Sequence, residues 1–142
     1  MTTSEDDTAE FVTGYRGGAA FNLRVLEVEC GHKMAASLVR QVQDAIRAGR
    51  DDGLTISIES AWRSMADQTR LHEAFVRHLP GARPADPPGY SKHQDGTAID
   101  LAFANADERE RFAALALAHG LTRPIEREKW HFVATPLSQE SV

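Results

Sequence analysis

The chain has 142 residues, 42% hydrophobic and 26% charged, the composition of one soluble globular domain able to bury its own core. A net charge of −5 without a dense Lys/Arg run argues against a nucleic-acid partner, and a single cysteine, Cys30, excludes an internal disulfide. No stretch reaches the roughly 20 apolar residues that span a bilayer, and the acidic start lacks the basic-then-apolar pattern of a secretory signal, so a protein soluble as synthesised is expected.

Residues 1–18 read as a flexible tail ending in Gly17-Gly18, residues 19–136 as a single domain and 137–142 as a C-terminal tail. Phe21 to Val25 alternates apolar and polar residues, a weak strand signal. Met34, Leu38, Val42 and Ala45/Ile46 recur at helical spacing, which predicts a helix over 33–48 stopped by Gly49. After the turn Asp51-Asp52-Gly53, Leu54 to Ile58 alternates as a half-buried strand. Ser64 caps a helix running to about His78, with Asp67 at the acid position of a capping box and Leu71, Phe75 and Val76 expected inward. Residues 80–90 hold four prolines and exclude regular structure. Ala98 to Phe103 reads as a strand, and residues 107–119 as a helix burying Phe112, Leu115 and Ala116 with Gly120 as its stop. A last strand lies around 130–134. The order predicts an α+β fold, a small antiparallel sheet flanked by helices.

Two segments carry chemistry: Ser-Lys-His-Gln-Asp-Gly-Thr-Ala-Ile-Asp (91–100) and Glu-Lys-Trp-His-Phe (128–132). His93, Asp100 and His131 form a ligand set that suits one zinc ion, and three protein ligands leave a tetrahedral position open for water. Asp95-Gly96 is a hairpin signal; paired that way, His93 and Asp100 would be diagonal neighbours about 7–8 Å apart at the backbone. Glu128 precedes His131 by three residues, so a flat strand would place it on the opposite face. A bend at 127–129 is required if both face one ion. A carboxylate between Ile99 and Leu101 is costly to bury unless bound, so Asp100 either lies on a polar sheet face or holds a cation. Arg63 reads as a solvated arginine or an anion binder, although a cation just before a helix cap is disfavoured. Tyr90 and Trp130 read equally as core aromatics or as substrate contacts lining a cleft. His32, His72, His78 and His119 read as surface or capping residues.

The segments Ser-Ala-Trp-Arg-Ser-Met-Ala-Asp-Gln (60–68), Pro-Pro-Gly-Tyr-Ser-Lys-His-Gln-Asp-Gly-Thr-Ala-Ile-Asp (87–100) and Glu-Lys-Trp-His-Phe (128–132) together resemble a family of zinc peptidases of the bacterial wall. Its members are VanY-type D-alanyl-D-alanine carboxypeptidases and L-alanyl-D-glutamate endopeptidases of phage lysis, which share a zinc-binding fold with the hedgehog signalling domain. The likeness runs from about residue 34 to 134. It implies that His93, Asp100 and His131 hold Zn2+, that Glu128 is the general base, and that Arg63 binds the substrate carbonyl as it becomes an oxyanion. Ser91 and Gln68 match positions that support substrate or the neighbouring loop. Trp62 stands where the family usually has Tyr or Phe. Lys92 replaces an uncharged polar residue, and Lys129 stands where Pro is frequent; both add positive charge near the expected cleft.

The implied substrate is a peptidoglycan stem peptide or another D-amino-acid peptide. With neither an export signal nor a wall-binding domain in view, a delivery or tethering protein is the expected partner, and the wall the expected site of action. The competing readings are a non-catalytic zinc-binding module of the same fold and a D,D-dipeptidase.

Overall fold

The computed structural model describes residues 9–137. Among the described residues there are two antiparallel sheets and three helices. The first sheet has strand order β1-β2-β3, from β1 (Glu10–Arg16), β2 (Ala19–Glu29) and β3 (His32–Ala35). The second runs β4-β5-β7-β6, from β4 (Ile56–Ser60), β5 (Ala98–Phe103), β7 (His131–Ala134) and β6 (Leu121–Thr122). The helices are α1 (Ala36–Asp51), α2 (Met65–Val76) and α3 (Ala106–Ala116), the last continued by a 3-10 turn at Leu117–His119. Among the described residues no helix is long and apolar enough to cross a membrane.

Residues 10–16, expected within a tail, instead form β1 and pair along their whole length with β2. Gly17 and Gly18 have φ of 57° and 83°, the left-handed pair that a tight hairpin turn requires, so they join two strands. The rest of both expected tails lies largely outside the described residues. α1 begins three residues later than the periodicity predicts, because His32–Ala35 is drawn into the first sheet by pairing with β2. It also runs through Gly49. A Cβ there would meet Ile56 Cδ1 at 2.6 Å and Phe112 Cδ1 at 3.0 Å, so this glycine serves close packing rather than helix termination.

α1 turns Leu38, Val39, Val42, Ala45 and Ile46 into a core shared with β2, β4 and α3. Phe112 of α3 meets Phe103 and Phe132 in a cluster of rings 5.4–6.4 Å apart, tilted or edge-on, the favoured geometry for aromatic pairs. β5 is central, hydrogen-bonded to β4 on one side and β7 on the other. Ile99 and Leu101 enter the apolar core. The alternation of the strand turns Asp100 to the opposite face.

α2 departs from its expected packing. Ser64 caps it by accepting from the Asp67 amide at 3.1 Å, as its sequence predicts. Yet Leu71, Phe75 and Val76, expected inward, are 40%, 38% and 56% exposed, and Gln68 is the one buried residue of this helix. The helix sits at a rim, facing the proline-rich loop instead of a sheet. Its apolar spacing therefore marks a face with little to pack against.

Candidate active site and metal centre

Sheet pairing builds half of the site. β5 and β7 place Asp100 directly opposite His131. His93 arrives from the turn at 91–97, where the expected Asp95-Gly96 hairpin does not form. The amides of Thr97 and Ala98 both donate to the Lys92 carbonyl, and Gln94 N donates to Ser91 O, coiling the segment into consecutive turns. Asp95 uses its side chain locally, accepting from Thr97 N at 3.1 Å and Thr97 Oγ1 at 2.6 Å. Such side-chain-to-backbone bonds compete with a strand ladder. Arg16, from the β1–β2 hairpin, also donates to Asp95 at 3.3 Å. Gly96 adopts φ 82°, and its carbonyl receives the Ala35 amide.

His93, Asp100 and His131 are 2%, 4% and 6% exposed, and their candidate ligand atoms all lie within 4.8 Å of one another. Both rings approach the same carboxylate oxygen: His93 Nε2 is 3.1 Å and His131 Nδ1 2.9 Å from Asp100 Oδ1. His93 Nδ1 lies 2.7 Å from the Ala61 carbonyl oxygen, which can only accept. Nδ1 therefore carries the hydrogen. Burial pushes the pKa of His93 down, against the pull of Asp100, which favours the neutral ring. Nε2 then presents a lone pair to a carboxylate oxygen. A divalent cation between these atoms resolves that opposition, and a carbonyl orienting the far nitrogen of a histidine ligand is a recurring support for one. For Asp100, burial alone would raise the pKa, but the proximity of His131 and His93 outweighs it and holds the carboxyl far below the usual carboxylate range. The donor set fits a single zinc-like ion with an open position.

Arg63, between β4 and α2, reaches the other oxygen of the same carboxylate, donating to Asp100 Oδ2 at 3.1 Å. Its Nε donates to Ser60 Oγ at 2.9 Å and its terminal nitrogen to Gln68 Oε1 at 3.1 Å. The arginine is thus a supporting partner of Asp100 as well as a wall of the site. Burial lowers its pKa, opposed by the charges of Asp100 and Glu128. Gln68 is fully buried and also donates to the Asp86 carbonyl at 2.9 Å, tying Arg63 to the proline-rich loop.

A cleft of about 350 Å³ lies over these groups, lined by Arg63, Ser91, Glu128 and Trp130 together with the three candidate ligands. The loop at 83–86 forms one wall. Glu128 reaches the cleft because the chain is bent there: Glu128 N donates to Ile125 O and His131 N to Glu128 O, and β7 starts only at His131. The required bend is present. Ser91 Oγ accepts from His93 N at 3.1 Å and shapes the turn. Tyr90 is not among the cleft-lining residues; it sits against the hairpin tip, where a Cβ on Gly18 would meet its hydroxyl at 2.6 Å. Lys92 turns its ammonium toward Asp95, 3.6 Å away, and does not line the cleft. Four contributors escaped sequence reasoning: Ser60, the Ala61 carbonyl, Asp95 and Arg83. Asp95 did carry a signal, misread as a hairpin; the others carry none.

The family described as VanY, D-alanyl-D-alanine carboxypeptidase, matches residues 31–135. No curated protein sequence matches the chain significantly. Among solved structures, VanYB in complex with D-alanine-D-alanine superposes with a TM-score of 0.70 at 17% identity, covering 80% of this chain and 78% of that one. The vancomycin-resistance D,D-pentapeptidase VanY from the VanB-type cassette, in complex with Zn(II), gives 0.68 at 17% identity over 79% and 78% of the two chains. The L,D-carboxypeptidase DacB from Streptococcus pneumoniae gives 0.61 at 21% identity over 90% and 86%. These structural likenesses show a common α+β fold, the one that the sequence motifs implied. The match over most of its length and the shared fold place the chain in the VanY family of D-alanyl-D-alanine carboxypeptidases.

Proposed function

We propose that the protein is a zinc-dependent carboxypeptidase that removes the terminal D-alanine of peptidoglycan stem peptides. The observation that carries this reading is the convergence of His93, Asp100 and His131 on the floor of a cleft that Glu128 also lines. Relatives of the same fold crystallised with Zn(II) and with D-alanine-D-alanine support the metal and the substrate class.

In this reading His93 Nε2, the Asp100 carboxylate and His131 Nδ1 hold the ion. Bound there, zinc would polarise the scissile carbonyl and bring the pKa of a water toward about 7. Glu128 takes the proton from the attacking water and returns it to the departing amine. Arg63 has three of its N–H groups engaged by Ser60, Gln68 and Asp100, which leaves two for a carbonyl oxygen as it gains negative charge. The Ala61 carbonyl keeps His93 in the tautomer that the site needs.

The test is to incubate zinc-loaded protein with purified peptidoglycan and free stem peptides, with and without chelator, and to weigh the soluble products. Chelator-sensitive loss of one D-alanine supports the proposal. A severed L-Ala–D-Glu link replaces it with the endopeptidase reading. Absence of any product from a protein that holds stoichiometric zinc replaces it with a non-catalytic module.

A further inference from the structure

Three arginines line the cleft, Arg63, Arg83 and Arg127, against three carboxylates, Asp86, Asp100 and Glu128. A divalent ion among them leaves the cleft positive, although the chain as a whole carries −5. Of these arginines, Arg63 has three of its five N–H groups on protein partners and its remaining two assigned to the scissile carbonyl. Arg83 lies at the cleft mouth on the proline-rich loop, its guanidinium over the Trp130 ring, 4.7 Å from the centroid. Among the described residues its ion pair is with Glu59, long at 3.6 Å and exposed on both sides, a geometry that contributes little. Its charge is close enough to oppose that of Arg63. The proline-rich loop that carries it separates the catalytic cleft from a second hollow lined by Leu71, Ala74 and Ala82.

An arginine held over an indole face, with most of its donor fork unengaged among the described residues, is preorganised to receive a planar anion. Contact with the ring restrains the guanidinium and leaves donors free for a bidentate contact. Two like charges facing one cleft are also relieved by an anion placed between them.

We propose that Arg83, oriented by Trp130, is a specificity-determining residue that binds a carboxylate of the substrate peptide at the mouth of the cleft. The inference rests on the stem-peptide reading of the site. That carboxylate is either the C-terminal one or the free α-carboxylate of a γ-linked D-glutamyl residue, and the chemistry of recognition is the same.

The test compares wild type, Arg83→Ala and Arg83→Lys, all zinc-loaded, on two peptide pairs. One pair is acetyl-L-Lys-D-Ala-D-Ala and its C-terminal amide. The other is a stem pentapeptide with the D-glutamyl α-carboxylate free or amidated. Wild type is expected to prefer the acid of one pair, and Arg83→Ala to lose at least about tenfold of that preference through KM, with kcat retained. Arg83→Lys recovers part of the loss, and the affected pair names the carboxylate. If Arg83→Ala keeps the wild-type preference, or lowers all four peptides alike, the proposal is overturned. Calorimetric binding of the same peptides separates the two levels of inference. If wild type cleaves none yet binds an acid through Arg83, the hydrolytic reading fails and the recognition site stands. If it binds none, both fail.

Discussion

The two walls of the cleft are built differently. One wall is sheet and turn: β5, β7 and the 91–97 segment put three buried polar side chains where each has a protein partner. The other is α2 with the proline-rich loop, where Leu71, Phe75 and Val76 remain exposed. That loop is hung from α2 by two side-chain bonds, Gln68 Nε2 to the Asp86 carbonyl and His72 Nδ1 at 2.8 Å from the Ala85 carbonyl. A metal site needs ligands fixed to a few tenths of an ångström, and a sheet register supplies that. A peptide-binding wall needs shape more than rigidity, and a loop supplies it. On the proposed reading the fold separates chemistry from selection, with Arg63 and Gln68 as the link between them.

Substitutions in the sheet wall should have the largest effects. Asp100→Ala removes a candidate ligand and leaves Arg63 buried without its acid. Loss of metal and of all activity is expected, with about 3–5 kcal/mol of destabilisation, the cost typical of breaking a buried pair. Metal analysis and chemical denaturation check it; an Asp100→Ala protein that keeps stoichiometric zinc would remove Asp100 from the ligand set. Glu128→Ala should act on the reaction alone. Metal content stays near one, stability shifts by less than about 0.5 kcal/mol, and kcat falls by roughly 10²–10⁴-fold. Retained turnover would dismiss Glu128 as the base.

Cutting the link between the walls should have an intermediate effect. Gln68→Ala leaves an Arg63 donor and the Asp86 carbonyl unpartnered, for about 1–3 kcal/mol of stability. Since the loop then loses a tether while the sheet does not, KM should rise with zinc occupancy unchanged. A fall in zinc affinity instead would mean that Gln68 positions the metal ligands through Arg63, and the separation of the walls would be weaker than the contacts suggest.

The same division explains what could be read from the sequence. The sheet wall was legible: Ala98–Phe103 matches β5 to the residue, and the three-residue offset of Glu128 demanded the bend that is present at 125–130. There, strand period and the cost of burying Asp100 constrain the answer locally. The loop wall was not legible. Leu71, Phe75 and Val76 share a helical spacing with core residues, and only tertiary position decides that their face meets a loop. Asp95-Gly96 failed as a hairpin signal because Arg16, 79 residues away, and Thr97 both engage the Asp95 carboxylate. Residues 10–16 failed because β1 is a strand at the sheet edge, exposed along most of its length, with no clean alternation to announce it. Glu128 and the candidate metal set were readable as residue types that the structure brings to one cleft; Ser60 and the Ala61 carbonyl act through positions that no pattern encodes.

The smallest expected effect probes how the turn carrying Glu128 is fastened to the sheet wall. Arg123 donates to both oxygens of Glu110, at 2.8 and 2.7 Å, and to the Lys129 carbonyl at 3.2 Å, so one guanidinium joins α3 to that turn. Hydrogen bonds from Arg123 and then Arg109 hold the Glu110 pKa down to about 2, from an ordinary 4.5. A carboxyl whose pKa is depressed on folding stabilises the fold fully above its unfolded value, and the contribution disappears as pH falls from about 4.5 toward 2. The pair is exposed to solvent, so screening limits it to less than about 1 kcal/mol. Glu110→Gln should therefore be less stable than wild type by that small amount at pH 7, and the gap should close between pH 4.5 and 2 in denaturant titrations. Because the turn is also held by its own backbone bonds, to the carbonyls of Ile125 and Glu128, kcat should change by no more than about twofold. A larger loss of kcat at neutral pH would show that the position of Glu128 depends on this distant ion pair, and that the sheet wall needs support from α3 to stay in place.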